Sequence, residues 1–262
     1  MTDRNLLNIS ISIVTYNCQD TIQDTLSTLF GVLSTNDKHN VFVIDNGSDD
    51  NTLMEIAPFL DRLTFIQSPQ GNIGFGAAHN LIINRLESDI HLIINPDIKM
   101  IDSDAITILC NCFSNHSDVG MTVPRILDEK GDLQYLCRRN PTVLDLALRF
   151  LPGHLFKKRE DYHMMKDMDY GKPFDVPFAS GCFMAIRTSL FRDLGGFDDR
   201  FFLYAEDADL TRRVNQVSRT VYVPEAVVCH VWERASYKDI NMTKIHLKSL
   251  WTYFRKWGFQ FK

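Results

Sequence analysis

Hydrophobic and polar positions follow a repeating order along the first hundred residues. Residues 8–16 (NISISIVTY) set Ile9, Ile11 and Ile13 between serines and end in Thr15, Tyr16 and Asn17, which predicts a strand with a polar carboxyl end. From about Asp20, the residues Ile22, Leu26, Leu29, Phe30 and Leu33 recur on one helical face. Residues 41–44 are continuously apolar, as in a buried parallel strand, and run into a turn-rich segment at 45–52 that feeds another helix. Residues 64–67 read as a third strand, followed by a glycine-rich loop at 71–76 and a helix carrying Leu81, Ile82 and Leu86. A fourth strand at 90–94 ends in Asn95-Pro96-Asp97. Strand–helix units in succession predict an α/β fold, with a mostly parallel sheet between helices and ligands beyond the carboxyl ends of the strands. Every polar cluster named here falls at such an end.

Past Asp97 the pattern changes. Residues 119–123 read as a strand, and 125–127 with 133–136 as a hairpin around Asp128-Glu129-Lys130-Gly131. Residues 141–175 look irregular and carry the basic run Lys157-Lys158-Arg159. A strand at 178–186, a short helix at 188–194, short strands at 220–223 and 227–231, and an amphipathic helix from about Asn241 to Trp257 complete the chain. The most informative stretch is 195–213, GGFDDRFFLYAEDADLTRR. A glycine pair and an aromatic run lead to Glu206, Asp207 and Asp209 on the first turn of a helix marked by Leu203, Leu210, Val214 and Val217. Acids are favoured there by the helix dipole and free N–H groups. A capping and surface role accounts for Asp209, paired with Arg213 at i,i+4. An aromatic loop delivering Glu206-Asp207 suggests more, because a low local dielectric makes a carboxylate a stronger general base.

Composition narrows the class. The chain has 262 residues, 45% of them hydrophobic, enough for one large domain with a proper core. A net charge of −5 argues against a general nucleic-acid footprint. The first residues lack a basic start followed by an apolar stretch, and no apolar run of about 18 residues occurs, so neither a signal peptide nor a membrane span is expected. The six cysteines form no C-x-x-C pair and read as thiols of a reducing compartment, the cytoplasm. No internal repeat is present.

The 195–213 stretch resembles the Glu-Asp motif of inverting family 2 glycosyltransferases, which have the GT-A fold. The resemblance covers essentially the whole chain. It implies that Asp207, with Glu206 beside it, deprotonates the acceptor hydroxyl. Asn95-Pro96-Asp97 resembles the family's Asp-x-Asp site with Asn95 in first place, so Asp97 is the implied ligand of Mg²⁺ or Mn²⁺, with modest affinity for want of the second charge. Such a cation would offset the diphosphate leaving group; by itself the tripeptide is equally a turn. Asp45 resembles the carboxylate that accepts a hydrogen bond from the nucleobase, although an Asx-turn explains it as well. Thr15, Tyr16 and Asn17 match the strand end that packs on the base; core packing is the rival for Tyr16. Residues 71–80 (GNIGFGAAHN) resemble the second nucleotide-contacting loop, which selects Asn72, Gly74 and Asn80 as donor contacts. They do not fit G-x-G-x-x-G, so no NAD is expected. His230 matches a second metal ligand or diphosphate contact, and Arg234 and Ser236 match further diphosphate contacts. Residues 179–183 resemble the segment before the acceptor strand.

The implied partners are a nucleotide-diphosphate sugar and a glycan or lipid-linked saccharide acceptor. The combination of NxGFGAAxN, NPD and a His followed by Arg and Ser is most similar to rhamnosyltransferases of bacterial surface-polysaccharide assembly. The implied layout is one domain, 1–262, with a nucleotide-sugar half at 1–100, an acceptor and catalytic half at 101–240 and a terminal helix at 241–262. Basic, aromatic-bearing stretches at 144–159 and in the terminal helix fit either the inner face of the cell membrane or an ordinary core. A homodimer is neither required nor excluded. Two rivals stay open: a sugar nucleotidyltransferase, for which no triphosphate loop rich in glycine and basic residues is present, and a non-catalytic nucleotide-sugar or polysaccharide-binding module, which needs no pairing of Asp97 with Asp207.

Overall fold

The structure is a computed structural model that describes residues 8–33, 39–148, 156–231 and 240–260. The donor half runs β1 (Ile9–Thr15), α1 (Ile22–Val32), β2 (His39–Asp45), α2 (Thr52–Ile56), β3 (Thr64–Gln67), α3 (Phe75–Asn80), β4 (Ile90–Ile94) and β5 (Ile98–Lys99). There follow α4 (Ala105–Asn115), β6 (Val119–Leu127), β7 (Cys137–Arg138), α5 (Val143–Leu148), α6 (Lys157–His163), β8 (Phe174–Asp175), β9 (Phe178–Ala179), β10 (Phe183–Arg187) and α7 (Thr188–Asp193). The chain closes with α8 (Glu206–Val214), β11 (Arg219–His230) and α9 (Ile240–Trp257).

One sheet holds most of this in the order β3-β2-β1-β4-β10-β6-β11-β5, with β8 beside β11 and a separate β7–β9 pair. Strands β1 to β4 run parallel to one another, as the succession of units predicts. Both faces are covered. Helices α1 and α4 bury Leu26, Leu29, Leu109 and Phe113 against Ile11, Ile13 and Leu92 on one side. On the other, Ala78, Phe191, Leu210 and Val214 of α3, α7 and α8 pack on Val14, Ile44, Ile93 and Met184. The serines of β1 are therefore buried, and their hydroxyls need partners. Ser12 Oγ lies 2.8 Å from His79 Nδ1 and 3.0 Å from His91 Nε2, while Ser10 Oγ lies 2.8 Å from His91 Nδ1 and 2.6 Å from Ser88 Oγ.

Strand β10 runs antiparallel to both β4 and β6, pairing Phe183 with Ile94. The chain consequently enters β10 at the edge where β1, β2 and β4 end. Strand β11 pairs antiparallel with β5, His230 opposite Ile98, and returns His230 to the same edge.

Several local expectations are corrected. The strand expected over 178–186 is broken between β9 and β10, because Gly181 and Cys182 direct their backbone groups to other loops. The two short strands expected near the end are one, β11, interrupted by a register shift between Val223 and Val227 around Pro224, which has no N–H for the ladder. The hairpin at 125–136 is reduced to a single antiparallel bridge, Leu127 to Leu133. Helix α3 stops at Asn80, leaving the buried Ile82 and Leu86 in turns, and the irregular 141–175 contains α5, α6 and β8. No helix among the described residues is long and apolar enough to cross a membrane.

Candidate active site

Loop 197–205 carries the expected acids to the ligand edge. Its last two residues, Tyr204 (φ 70°) and Ala205 (φ 65°), are left-handed without being glycine, a conformation that side chains resist. They aim the first turn of α8 inward, so Glu206 is buried and Asp207 half-buried. Asp207 Oδ2 accepts from the backbone N–H of Gly181 at 3.1 Å, and Oδ1 from that of Ala208 at 2.8 Å. Glu206 Oε2 is buried with no hydrogen-bond partner. Burial, and then the charge of Asp207, push the Glu206 carboxyl up to about 8. Burial also raises Asp207, opposed by those two N–H groups and by the charge of Arg138. A proton shared by the pair therefore favours Glu206, whose carboxylate lacks a donor, while the two N–H groups favour the charged form of Asp207.

Asp209 departs from the expectation. It pairs with Arg213 at 2.8 Å as anticipated, but it is wholly buried and not a surface charge. The indole N–H of Trp257 reaches its other oxygen at 2.8 Å, and Lys256 does so at 2.7 Å. The helical apolar pattern was also too generous: Leu203 precedes the helix, and Val217 is 67% exposed.

Across the same edge stand Asp97 and His230. Asp97 Oδ2 lies 3.2 Å from His230 Nε2, and Val231 donates its backbone N–H to the Asp97 carbonyl at 2.9 Å. Gln134 donates its amide to the His230 carbonyl at 2.9 Å, which turns its own oxygen toward His230 Nδ1 at 3.0 Å. That oxygen can only accept, so Nδ1 carries the hydrogen and Nε2 presents a lone pair. Nε2 and the buried Asp97 Oδ1 are both without a hydrogen-bond partner. Two unpartnered donors to a metal, one carboxylate and one imidazole, fit a divalent cation that takes its remaining ligands from phosphate and water. Among the described residues no third His, Cys, Asp or Glu joins them.

The turn between β9 and β10 ties the two centres together. Gly181 gives its N–H to Asp207, and the next residue, Cys182, accepts the N–H of Asn95 at 2.9 Å. A Cβ on Gly181 would lie 3.3 Å from the Phe75 ring and 3.4 Å from Asp207 Cβ, so any side chain there would need the Phe75 ring to give by a few tenths of an ångström.

The donor-side residues divide. Tyr16, at the end of β1, is 49% exposed and free to stack, so core packing does not account for it. Asn17 (φ 51°) is exposed and exchanges hydrogen bonds with Asp49. Asp45 is wholly buried and already accepts from Thr15, from the Ser48 hydroxyl and from the N–H groups of Gly47 and Ser48. The turn explanation holds for it, and Thr15 is its partner. Asn72 is exposed, its oxygen accepting from Asn46 and Gly74. Gly74 faces protein: a Cβ there would lie 2.3 Å from the Phe202 carbonyl. Asn80 is likewise committed, donating to the Phe197 carbonyl at 2.8 Å and accepting the Phe197 N–H at 2.9 Å. These two residues bind the donor-side loop to the acid loop. Arg234 and Ser236 lie outside the described residues. Gln134 escaped the sequence because nothing local marks it, whereas Gly181 sat in a small-residue run already singled out.

The family model described as Glycosyl transferase family 2 matches residues 10–195, well over half of the chain. The N-acetylglucosaminyl-diphospho-decaprenol L-rhamnosyltransferase of Mycobacterium tuberculosis is 28% identical over 86% of this chain and 76% of its own length. Rhamnosyltransferase WbbL of Escherichia coli K12 is 27% identical over 94% of this chain and 92% of its own. Among solved structures, the mannosyltransferase PcManGT of Pyrobaculum calidifontis, in complex with GDP-Man and Mn²⁺, superposes with a TM-score of 0.69 at 18% identity over 96% of this chain. This chain spans 65% of that protein's length.

Proposed function

On the premise that this chain belongs to glycosyl transferase family 2, we propose that it is an inverting enzyme using a nucleotide-diphosphate sugar, with rhamnose as the sugar transferred. The acceptor is a hydroxyl of a glycan or lipid-linked saccharide in bacterial surface-polysaccharide synthesis. The rhamnosyltransferase activity of the M. tuberculosis and E. coli relatives supports the sugar, and the lipid-diphosphate-linked acceptor of the M. tuberculosis enzyme supports the acceptor class. The observation that carries the chemistry is the Glu206-Asp207 pair, which holds one carboxylate ionised where the backbone of Gly181 orients it.

In this reading Asp207 takes the proton of the acceptor hydroxyl while that oxygen forms its bond to the anomeric carbon. The bond from that carbon to the diphosphate oxygen breaks on the opposite face, and its electron pair leaves with the nucleotide diphosphate, which inverts the centre. Asp97 and His230 would hold Mg²⁺ or Mn²⁺, which supplies charge compensation for the leaving diphosphate. Gln134 orients His230 for this. Tyr16, Asn17 and Asn72, the exposed residues of the donor edge, meet the nucleotide sugar, and Asn95 adjoins it through the Asn95–Cys182 link. Arg234 and Ser236 complete the diphosphate contacts. The donor half is 1–100, the acceptor and catalytic half 101–240, and helix α9 of the terminal segment 241–262 meets the inner face of the cell membrane.

The test is a thermal-shift panel of nucleotide diphosphates and their sugars, with Mn²⁺ or with chelator. A metal-dependent rise with one nucleotide family, lost in Asp97→Ala, is the expected result. No rise with any nucleotide would overturn the donor assignment.

A further inference from the structure

Helix α9 is joined to the acid loop by more than apolar packing. Leu250, Tyr253 and Phe254 do pack on Phe201, Ala205 and Ala208. Beyond that, Ser249 donates to the Leu203 carbonyl at 2.7 Å, and the His246 ring stacks on Tyr204 with centroids 4.6 Å apart. The most constrained contact is Lys256. Its ammonium lies 2.7 Å from Asp198 Oδ2 and 2.7 Å from Asp209 Oδ1, and these carboxylates are only 13% and 0% exposed. Asp198 opens the segment that presents Glu206 and Asp207, and Asp209 closes it. One cation thus joins both ends of a loop whose middle holds two left-handed, non-glycine residues.

We propose that Lys256 is a positioning residue for the base: it staples Asp198 to Asp209 and so keeps the loop between them in the shape that presents Asp207 to Gly181. This rests on the reading of Asp207 as the base. A strained loop relaxes unless its surroundings over-determine it, and here the over-determination is specific. Asp209 also takes Arg213 and Trp257, which fix that end of the loop to α8 and α9. Among the described residues the Asp198 carboxylate otherwise meets only Arg200, two residues along the same loop and 62% exposed at its side chain. Arg213 holds the Gly196 carbonyl and Asn80 holds Phe197 and Asp199, while Lys256 is the contact that ties the Asp198 carboxylate itself to α9. Displacing a base by about 1 Å can cost a hundredfold in rate.

The experiment compares Lys256→Met, Lys256→Arg and Asp198→Asn with the parent in transfer kinetics and in donor binding by calorimetry, after melting curves confirm folding. Lys256→Met and Asp198→Asn should each lower kcat by about tenfold to a hundredfold with donor Kd unchanged. Lys256→Arg, which can bridge two carboxylates, should recover most of the loss, and the double variant Asp198→Asn with Lys256→Met should be little worse than either single one, since both break one staple. Asp198→Asn carries the test if Lys256→Met does not fold. Unchanged kcat in the folded variants, or losses that simply multiply in the double, overturns the staple. Asp207→Asn, run alongside, separates the two ideas. If it transfers at the parent rate, the base assignment fails; if it is inactive while Lys256→Met is not, the staple alone fails.

Discussion

Gly181 donates its backbone N–H to Asp207 Oδ2 at 3.1 Å, across the break that separates β9 from β10. A backbone donor cannot be mutated away, and it meets the carboxylate without a charge that would quench its basicity. Together with Ala208 it favours the ionised form of Asp207 while Glu206 keeps the proton. Transfer should therefore fall by about 10²- to 10⁴-fold in Asp207→Asn, with donor binding intact, and by less than about tenfold in Glu206→Gln, whose amide mimics a neutral acid. Steady-state kinetics at pH 7 distinguish the two; equal losses would contradict the division of roles.

The same pair predicts a pH-dependent stability. Glu206 titrates near 8 in the folded chain, against an ordinary value of 4.5. Its folded pKa is raised, so its contribution is full below about 4.5 and is lost as pH climbs to about 8. Glu206→Gln should match the parent in melting temperature at pH 4.5 and exceed it at pH 8.5, by up to roughly 4 kcal/mol in unfolding free energy. Denaturant curves at the two pH values check this.

Acid should act in the opposite sense through buried imidazoles. Burial lowers His91 to about 3, His163 to about 4 and His79 well below its usual range. Each folded pKa lies beneath the unfolded one near 6.5, so stability is full above 6.5 and is lost as pH falls toward the folded values. Each imidazole costs about 1.4 kcal/mol per pH unit within that window. In the Glu206→Gln background, which removes the opposing titration, urea midpoints from pH 6.5 to 5.0 should fall steeply. A flat profile would mean that the core admits the charged rings.

Asp97 and His230 make a separable prediction. At a nucleotide concentration of 100 times the dissociation constant, the metal-loaded ligand should stabilise the chain by about 2.7 kcal/mol. Asp97→Ala should abolish this gain, and Gln134→Leu, which leaves Nδ1 without its acceptor, should weaken metal binding by about 10- to 100-fold. Manganese titration calorimetry in the presence of a nucleotide diphosphate reads both.

On α9, Leu247 and Trp251 are 40% and 57% exposed beside the exposed Lys244, Lys248 and Arg255. The inner face packs as a core helix, whereas the outer one stays exposed, as contact with a membrane surface would require. Vesicles containing anionic lipid should float the protein, and Trp251→Ala combined with Lys248→Glu should leave it in the soluble fraction. Flotation by neutral vesicles alone would point to apolar contact without charge.

The repeating strand–helix pattern was legible because its buried parallel strands are rich in Ile and Val, and polar residues collect where those strands end. The acid pair was legible for a similar reason, since carboxylates in an aromatic loop are unusual. Less visible was what the expected donor contacts do for the fold. Asp45 and Asn80 have the side chains a ligand would use, but Asp45 saturates within its own turn, on Gly47, Ser48 and the neighbouring Thr15, and Asn80 on the backbone of Phe197, more than a hundred residues away. Asp209 misled in the same way: its i,i+4 partner is local, whereas Lys256 and Trp257, which bury it, lie nearly fifty residues on. Nothing in a linear pattern encodes that convergence.

Strand β10 carries one more consequence. Its reversal joins β4 to β6 within a single hydrogen-bonded sheet, so the spacing between Asp97 and Asp207 is set by backbone and not by closure of one lobe on another. The described residues of 138–175 meet this frame through β7, β8 and the core side chains Met165, Tyr170 and Phe174. The candidate base and metal ligands therefore keep their separation without any movement of one half of the chain against the other.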